Sequence, residues 1–189
     1  MAHSLGVRFL MALPAGIRRF FLFVLWLLGS GQPAFADPSS EGVVKSAVVF
    51  KVLLFVDWPP AVQSADVLRL CLLQEGAFLN QMQLYGGRKI NGQTLNVSLR
   101  QGSPEGMQGC HAVFVETGNP PLLNRAIALA RQQPMLVLGE GHQALAQGAM
   151  ITIDTEGGKI ALDIHLESLR KSQLNVSSKL LNLARRVIE

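Results

Sequence analysis

The chain has 189 residues, 49% apolar and 16% charged, with two cysteines and a formal net charge of +4. Three arginines and no acids fall in the first 36 residues, so the remaining 153 carry only +1. That length suits one domain with a real core and is too short for two, and the lack of a dense basic stripe with interleaved aromatics removes the compositional case for nucleic-acid binding.

Arg8, Arg18 and Arg19 form a positive start, Phe20 to Leu28 is an apolar core, and Ala34-Phe35-Ala36 is a small-x-small cleavage site followed by Asp37-Pro38. These features predict a secretory signal peptide over 1–36, cleaved after Ala36, and a mature exported domain over 37–189. An uncleaved anchor is the alternative, although the apolar core is short for a permanent span. No cysteine follows that core, so lipid attachment is not expected.

Ser39-Ser40-Glu41 reads as a helix start, with serine able to cap and Glu41 near the positive end of the helix dipole. From Ala47 to Val56 every residue but Lys51 is apolar, until Asp57-Trp58-Pro59-Pro60 ends the run. A helix that apolar must be covered on both sides or must show an apolar face to a partner. The many valines keep a strand reading open.

Leu68 to Leu73 is a buried strand carrying Cys71, and Ala77 to Tyr85 a short helix closed by Gly86-Gly87-Arg88. Asn91-Gly92 is a turn into the alternating strand Leu95–Leu99. Cys110 opens the next strand, whose Val113, Phe114 and Val115 lie between Gly109 and Gly118-Asn119-Pro120-Pro121. A helix follows from Pro120 to Arg131, then a strand from Pro134 to Leu138 and a turn at Gly139-Glu140-Gly141 into a brief helix. Strands from Met150 to Asp154 and Lys159 to His165 flank Gly157-Gly158 as a hairpin. Leu166 to Lys171 suggests a turn of helix, and Asn175 to Ile188 has the polar and apolar spacing of an amphipathic one. Alternating helices and strands with a closing hairpin predict an α/β single domain, a mixed β-sheet flanked by helices.

In an exported chain Cys71 and Cys110, each in an apolar strand, are placed to form a disulfide; two separate buried thiols are the alternative. Gly139-Glu140-Gly141-His142-Gln143-Ala144 matches a dinucleotide fingerprint, but the following helix is short and no second βαβ unit with a ribose-binding acid follows, so a plain turn is favoured. Asp163, His165 and Glu167 alternate and would share one strand face; they could hold zinc, and a solvated strand face is the favoured reading. His111 beside Cys110 lacks the C-x-x-C context of a redox couple. No nucleophile elbow, zinc-protease helix, phosphate loop or clustered carboxylate pair appears, so a binding or regulatory module is expected rather than an enzyme, without cofactor or metal.

Several stretches together resemble the YfiR-like family of exported domains: Phe50 to Pro59, Leu70 to Leu73, Gly87 to Gly92, Gly109 to Val115, Pro134 to Gly139, Gly148 to Ile151 and Ser177 to Ala184. The resemblance implies a periplasmic α/β domain, often dimeric, that binds the periplasmic part of an inner-membrane diguanylate cyclase and represses it, lowering cyclic di-GMP. It also implies release by a partner lipoprotein of the outer membrane, and places Cys71 and Cys110 on a cysteine pair the family tends to keep. The second pair carried by some relatives is missing around Leu138-Gly139-Glu140 and Gln147-Gly148, and His165 stands where asparagine is more usual. The alternatives are a periplasmic small-ligand-binding sensor and an enzyme built on Asp163, His165 and Glu167. For contact with a partner, the reading selects the apolar segment with Phe50, Lys51, Phe55 and Asp57, together with the late strand's Asp163 and His165.

Overall fold

The computed structural model describes residues 38–156 and 159–189. The segment read as a signal peptide, residues 1–36, and the Gly157-Gly158 turn lie outside the described residues. Helix α1 runs from Pro38 to Phe55, so the apolar run is helical despite its valines, and the helix begins one residue before Ser39. Val56–Asp57 then forms the two-residue strand β1, and Pro60–Gln63 the single turn α2.

The apolar runs bounded by breakers become strands: β2 (Val67–Leu72), β5 (Ala112–Val115) and β6 (Leu136–Glu140). Between β2 and β5 stand α3 (Ala77–Gln83), β3 (Lys89–Ile90), β4 (Gln93–Leu99) and the short α4 (Pro104–Met107). Asn91 and Gly92 both have positive φ, 50° and 92°, and the two-residue turn they form joins β3 to β4. Helix α5 (Pro120–Ala130) is capped by the Asn119 side chain and buries Leu122, Leu123, Ala126, Ile127 and Ala130. Helix α6 (His142–Ala146), the hairpin β7 (Ile151–Glu156) and β8 (Lys159–His165), and α7 (Leu166–Lys171) follow.

The chain from Asn175 to Ile188 departs from expectation. Instead of one amphipathic helix it divides into β9 (Asn175–Val176), the turn α8 (Ser178–Leu181) and β10 (Arg186–Ile188). The cause is tertiary. Asn175 and Val176 pair antiparallel with Asp57 and Val56, the Ser177 N–H donates to the Phe55 carbonyl at 2.9 Å, and Arg186 to Ile188 pair with Asp163 to His165. Those backbone bonds replace helical ones, and the weak local propensity of so short a helix does not compete.

The main sheet has eight strands in the order β10-β8-β7-β6-β5-β2-β4-β3. Strands β4, β2, β5, β6 and β7 run parallel, and antiparallel neighbours join at β3 and β8. The sheet is therefore mixed, in a domain of α/β class. Strand alternation assigns the faces. Phe114 stacks on Phe78 of α3 with ring centroids 4.5 Å apart, so the α1–α3 layer covers the side of Phe114, Leu138, Ile151, Leu162 and Ile164. Val115, Gly139, Thr152, Asp154 and Asp163 point to the other side, toward α5 and α6. Gly139 is required there, since a Cβ would stand 2.7 Å from that of Ala144; this glycine of the apparent dinucleotide motif serves helix–sheet packing.

Cys71 and Cys110 form a disulfide with Cα atoms 5.9 Å apart. Cys110 does not open β5. It stands two residues earlier, in the turn after Gly109 (φ 74°), and its sulfur joins β2 to its parallel neighbour. Both cysteines are buried.

Candidate functional site

Helix α1 buries Lys45, Val49, Val52 and Leu53 as one stripe, continued by Val56, and leaves Lys51 exposed opposite it. Each apolar side chain on that stripe contributes about 1.5–3 kcal/mol by leaving water. The two flanks of the stripe are half-buried and have different neighbours. On one flank Phe50 lies against Tyr85, ring centroids 5.0 Å apart, and the Arg88 guanidinium stands 4.7 Å from the Tyr85 ring and 5.9 Å from that of Phe50. Phe50 is therefore engaged within the domain.

The other flank opens into a groove of about 210 Å³ between α1, β8 and α8, with Val48, Lys51 and Phe55 on the helix side and Ile160, Leu162, Leu180 and Leu183 opposite. Leu183, 65% exposed, forms its rim. The groove gathers residues from three separate parts of the chain, and its apolar walls with an aromatic at the edge and the exposed Lys51 outside them match the apolar core and polar rim of an interface. Sequence reasoning selected Phe55 and Lys51 but missed Leu180 and Leu183, which lie in the stretch expected to form the terminal helix.

Asp57 is exposed and pairs through its backbone with Asn175; it lines a separate polar hollow with Trp58, Gln63, Asn91 and Gln93. Asp163 and His165 do not join the α1 surface, because strand alternation points Asp163 to the opposite face. Asp163 is fully buried. Its carboxylate accepts from Arg185 Nε at 3.0 Å, Arg185 Nη2 at 2.7 Å and Arg186 Nη2 at 3.0 Å. The Arg185 hydrogen bonds hold it below the usual carboxylate range, against the opposing effect of burial. Arg185 also pairs with Glu156 at 2.5 Å, so it fastens β10 to the hairpin.

His165 caps α7, its Nδ1 accepting from the Ser168 N–H at 3.4 Å, and Glu167 pairs with Lys171 at 2.8 Å on the surface. The alternating trio is thus divided among an ion-pair lock, a helix cap and a surface pair. Among the described residues no group of three or more His, Cys, Asp or Glu is placed to hold a metal. His111 takes a structural part as well: its Nδ1 accepts from the Arg69 N–H at 3.2 Å, and burial, then Arg69, holds its pKa below the ordinary value.

A second feature lies at the carboxyl ends of β5 and β6. Lys45 of α1 pairs with the Glu140 carboxylate and stands 3.8 Å from Glu41, while Thr155 Oγ1 donates to Glu41 at 2.8 Å. The Thr117 N–H donates to Glu140 at 3.1 Å, and that of Glu116 to the Gln74 side chain at 2.9 Å. Nothing local marks Lys45 and Glu140 as partners, 95 positions apart.

The described residues thus present a half-open apolar groove and charged groups engaged in locks and caps. The chain belongs to the YfiR/HmsC-like family, whose model matches residues 43–185. It is a family of periplasmic domains, regulatory rather than catalytic. A crystal structure of a conserved domain protein from Vibrio cholerae O1 biovar El Tor has a similar fold, with a TM-score of 0.55 and 11% identity, covering 77% of this chain. This chain spans 60% of the length of that one. No curated protein matches. Among the described residues no helix is long and apolar enough to cross a membrane.

Proposed function

We propose that this chain is exported, cleaved after Ala36, and acts in the periplasm as a repressor that binds the periplasmic part of an inner-membrane diguanylate cyclase and lowers cyclic di-GMP. The contact is made through the groove between α1, β8 and α8, with Phe55 as aromatic anchor and Lys51 on the rim. An outer-membrane lipoprotein relieves the repression by competing for the same chain, and the repressor is a homodimer. Family membership supports the regulatory role. The observation that carries the choice of surface is the half-open apolar groove, where Phe55 is half-buried and Leu183 stands 65% exposed.

Deleting the gene should raise cellular cyclic di-GMP, and a plasmid copy should restore it. A Phe55→Glu copy that is exported and folded should fail to restore it. Unchanged cyclic di-GMP on deletion would refute the repressor reading; full restoration by Phe55→Glu would refute the surface.

A further inference from the structure

The two ends of the eight-stranded sheet are closed differently. At one end β10 is only Arg186–Ile188 and stands between Arg185 and Glu189, the short and charged form in which exposed sheet edges resist pairing. At the other end β3 pairs with β4 only at Gln93 and Thr94. Gly87 (φ 81°) and Arg88 then oppose Leu95 together: the Leu95 N–H donates to the Arg88 carbonyl at 2.8 Å, and the Gly87 N–H donates to the Leu95 carbonyl at 2.8 Å. This bulge ends the pairing. From Asn96 to Leu99 the outer edge of β4 has no strand beside it among the described residues.

Strand alternation decides which backbone groups are left there. The N–H groups of Thr94 and Arg100 donate toward β2, to the carbonyls of Asp66 and Leu72, whereas Leu95 bonds outward to Gly87 and Arg88. By the same two-residue period Asn96 and Ser98 bond toward β2, and Val97 and Leu99 turn both N–H and C=O outward. Nothing in β4 guards them, since Gln93 to Leu99 contains no charge, proline or glycine. On the α1–α3 side, where the register sets Val97 beside Leu70 and Leu99 beside Leu72, Val97 is half-buried and Leu99 is 39% exposed.

A second β4 fits this edge, and in one register. Antiparallel pairing about a twofold axis must set outward residues opposite outward residues. An axis at Val97 would bring Leu99 of the second copy against Leu95, whose outward groups the bulge already takes. An axis at Leu99 would need Gln101, which lies past the end of β4. An axis at Ser98 pairs Val97 with Leu99 of the second copy and Leu99 with its Val97, so the outward donors and acceptors of both residues are matched. The same register lays valine on the exposed leucine, sets Arg100 opposite an Asn96 amide with no like charges facing, and places the small Ser98 on the axis. A strand from a different protein is recognised through pockets for its alternate side chains, and neither the α1 groove nor the hollow at Asp57 has a wall on Asn96 to Leu99.

We propose that the outer edge of β4 is a self-association surface, on which two copies pair antiparallel through Val97 and Leu99 about an axis at Ser98 and join their sheets into one. The proposal deepens the homodimer of the functional reading and rests on it for the dimer alone; its tests use no cyclase, and cyclic di-GMP decides repression separately. Mature protein purified from the periplasm should sediment as a dimer that dissociates on dilution. Val97→Pro removes an outward N–H and no bond to β2, and Leu99→Lys puts a charge on the edge. Each variant, shown folded by circular dichroism, should weaken the dimer by about tenfold or more. The register is read by cross-linking. Asn96 and Arg100 are exposed and would face each other across the copies with Cα atoms about 4.5 Å apart, but stand about 13 Å apart within one strand. A chain carrying both Asn96→Cys and Arg100→Cys should therefore form a covalent dimer on oxidation with copper–phenanthroline, and neither single variant should. The proposal is overturned if the wild-type chain is a monomer at every concentration, if the dimer persists unweakened in the folded variants, or if a single-cysteine chain cross-links as fast as the double. A dimer that persists in this way leaves the homodimer standing on another surface. Where Val97→Pro misfolds, Leu99→Lys and the cross-link decide the matter.

Discussion

Replacing Arg185 with alanine removes two of the three charge-assisted hydrogen bonds that reach the Asp163 carboxylate and leaves Arg186 as its partner. Asp163 is fully buried, so the lost bonds are not replaced in full by water. A hydrogen bond to a charged group contributes about 1.5–3 kcal/mol, but the Arg185 side chain is 33% exposed, and screening reduces the pair. The expected cost is about 2–3 kcal/mol for Arg185→Ala and about 1 kcal/mol for Arg186→Ala, which supplies one bond from a side chain 51% exposed. The sign with pH follows from the lowered pKa of Asp163. Stability from the lock is present above the unfolded value, about 3.9, and is lost as pH falls through the still lower folded value. Urea unfolding followed by far-ultraviolet circular dichroism should therefore show the wild-type and Arg185→Ala curves well separated at pH 7 and converging in acid. An Asp163→Ala, Arg185→Ala double-mutant cycle should show coupling of about 1–2 kcal/mol. A cost below about 0.5 kcal/mol at pH 7, or a difference that does not shrink in acid, would refute the lock.

Four further outcomes test the disulfide and the contact surface. The Cys71–Cys110 bridge spans 39 positions, and the loop-entropy relation gives about 4 kcal/mol for closing it, so Cys71→Ser with Cys110→Ser should shift urea unfolding by that order. Thiol titration of unreduced, denatured protein from the periplasm should find no free thiol, and two would end the claim. Phe55→Glu should weaken association with the partner by about 2 kcal/mol or more while the domain still melts cooperatively. Phe50→Glu, which gives up its packing on Tyr85 beneath Arg88, should instead lower the melting temperature of the isolated domain, by an amount equivalent to about 1–3 kcal/mol. If both variants unfold the domain, the contact lies elsewhere.

The parts of this fold that depend on neighbours in sequence were legible before any coordinates. Apolar runs between glycines and prolines became β2, β5 and β6, Asn91-Gly92 turned β3 into β4, and Leu166 to Lys171 formed α7 over those residues. The cysteine pair was legible for the same reason, since each thiol lay in or beside a run that had to be buried. Residues 175–188 were not legible. Their three- and four-residue spacing suits a helix, but the stretch is divided by partners more than a hundred positions away at Val56-Asp57 and about twenty away at Asp163 to His165. The same limit hid the groove, whose walls come from residues 48–55, 160–162 and 180–183, and the ion pair of Lys45 with Glu140. It also misplaced Asp163, which alternation puts on the face away from α1 and which two arginines then cover. Periodicity states which side of an element is apolar, because burial favours one face; which distant element covers that face, and which charge finds a counter-charge beneath it, is decided only when the sheet order brings them together.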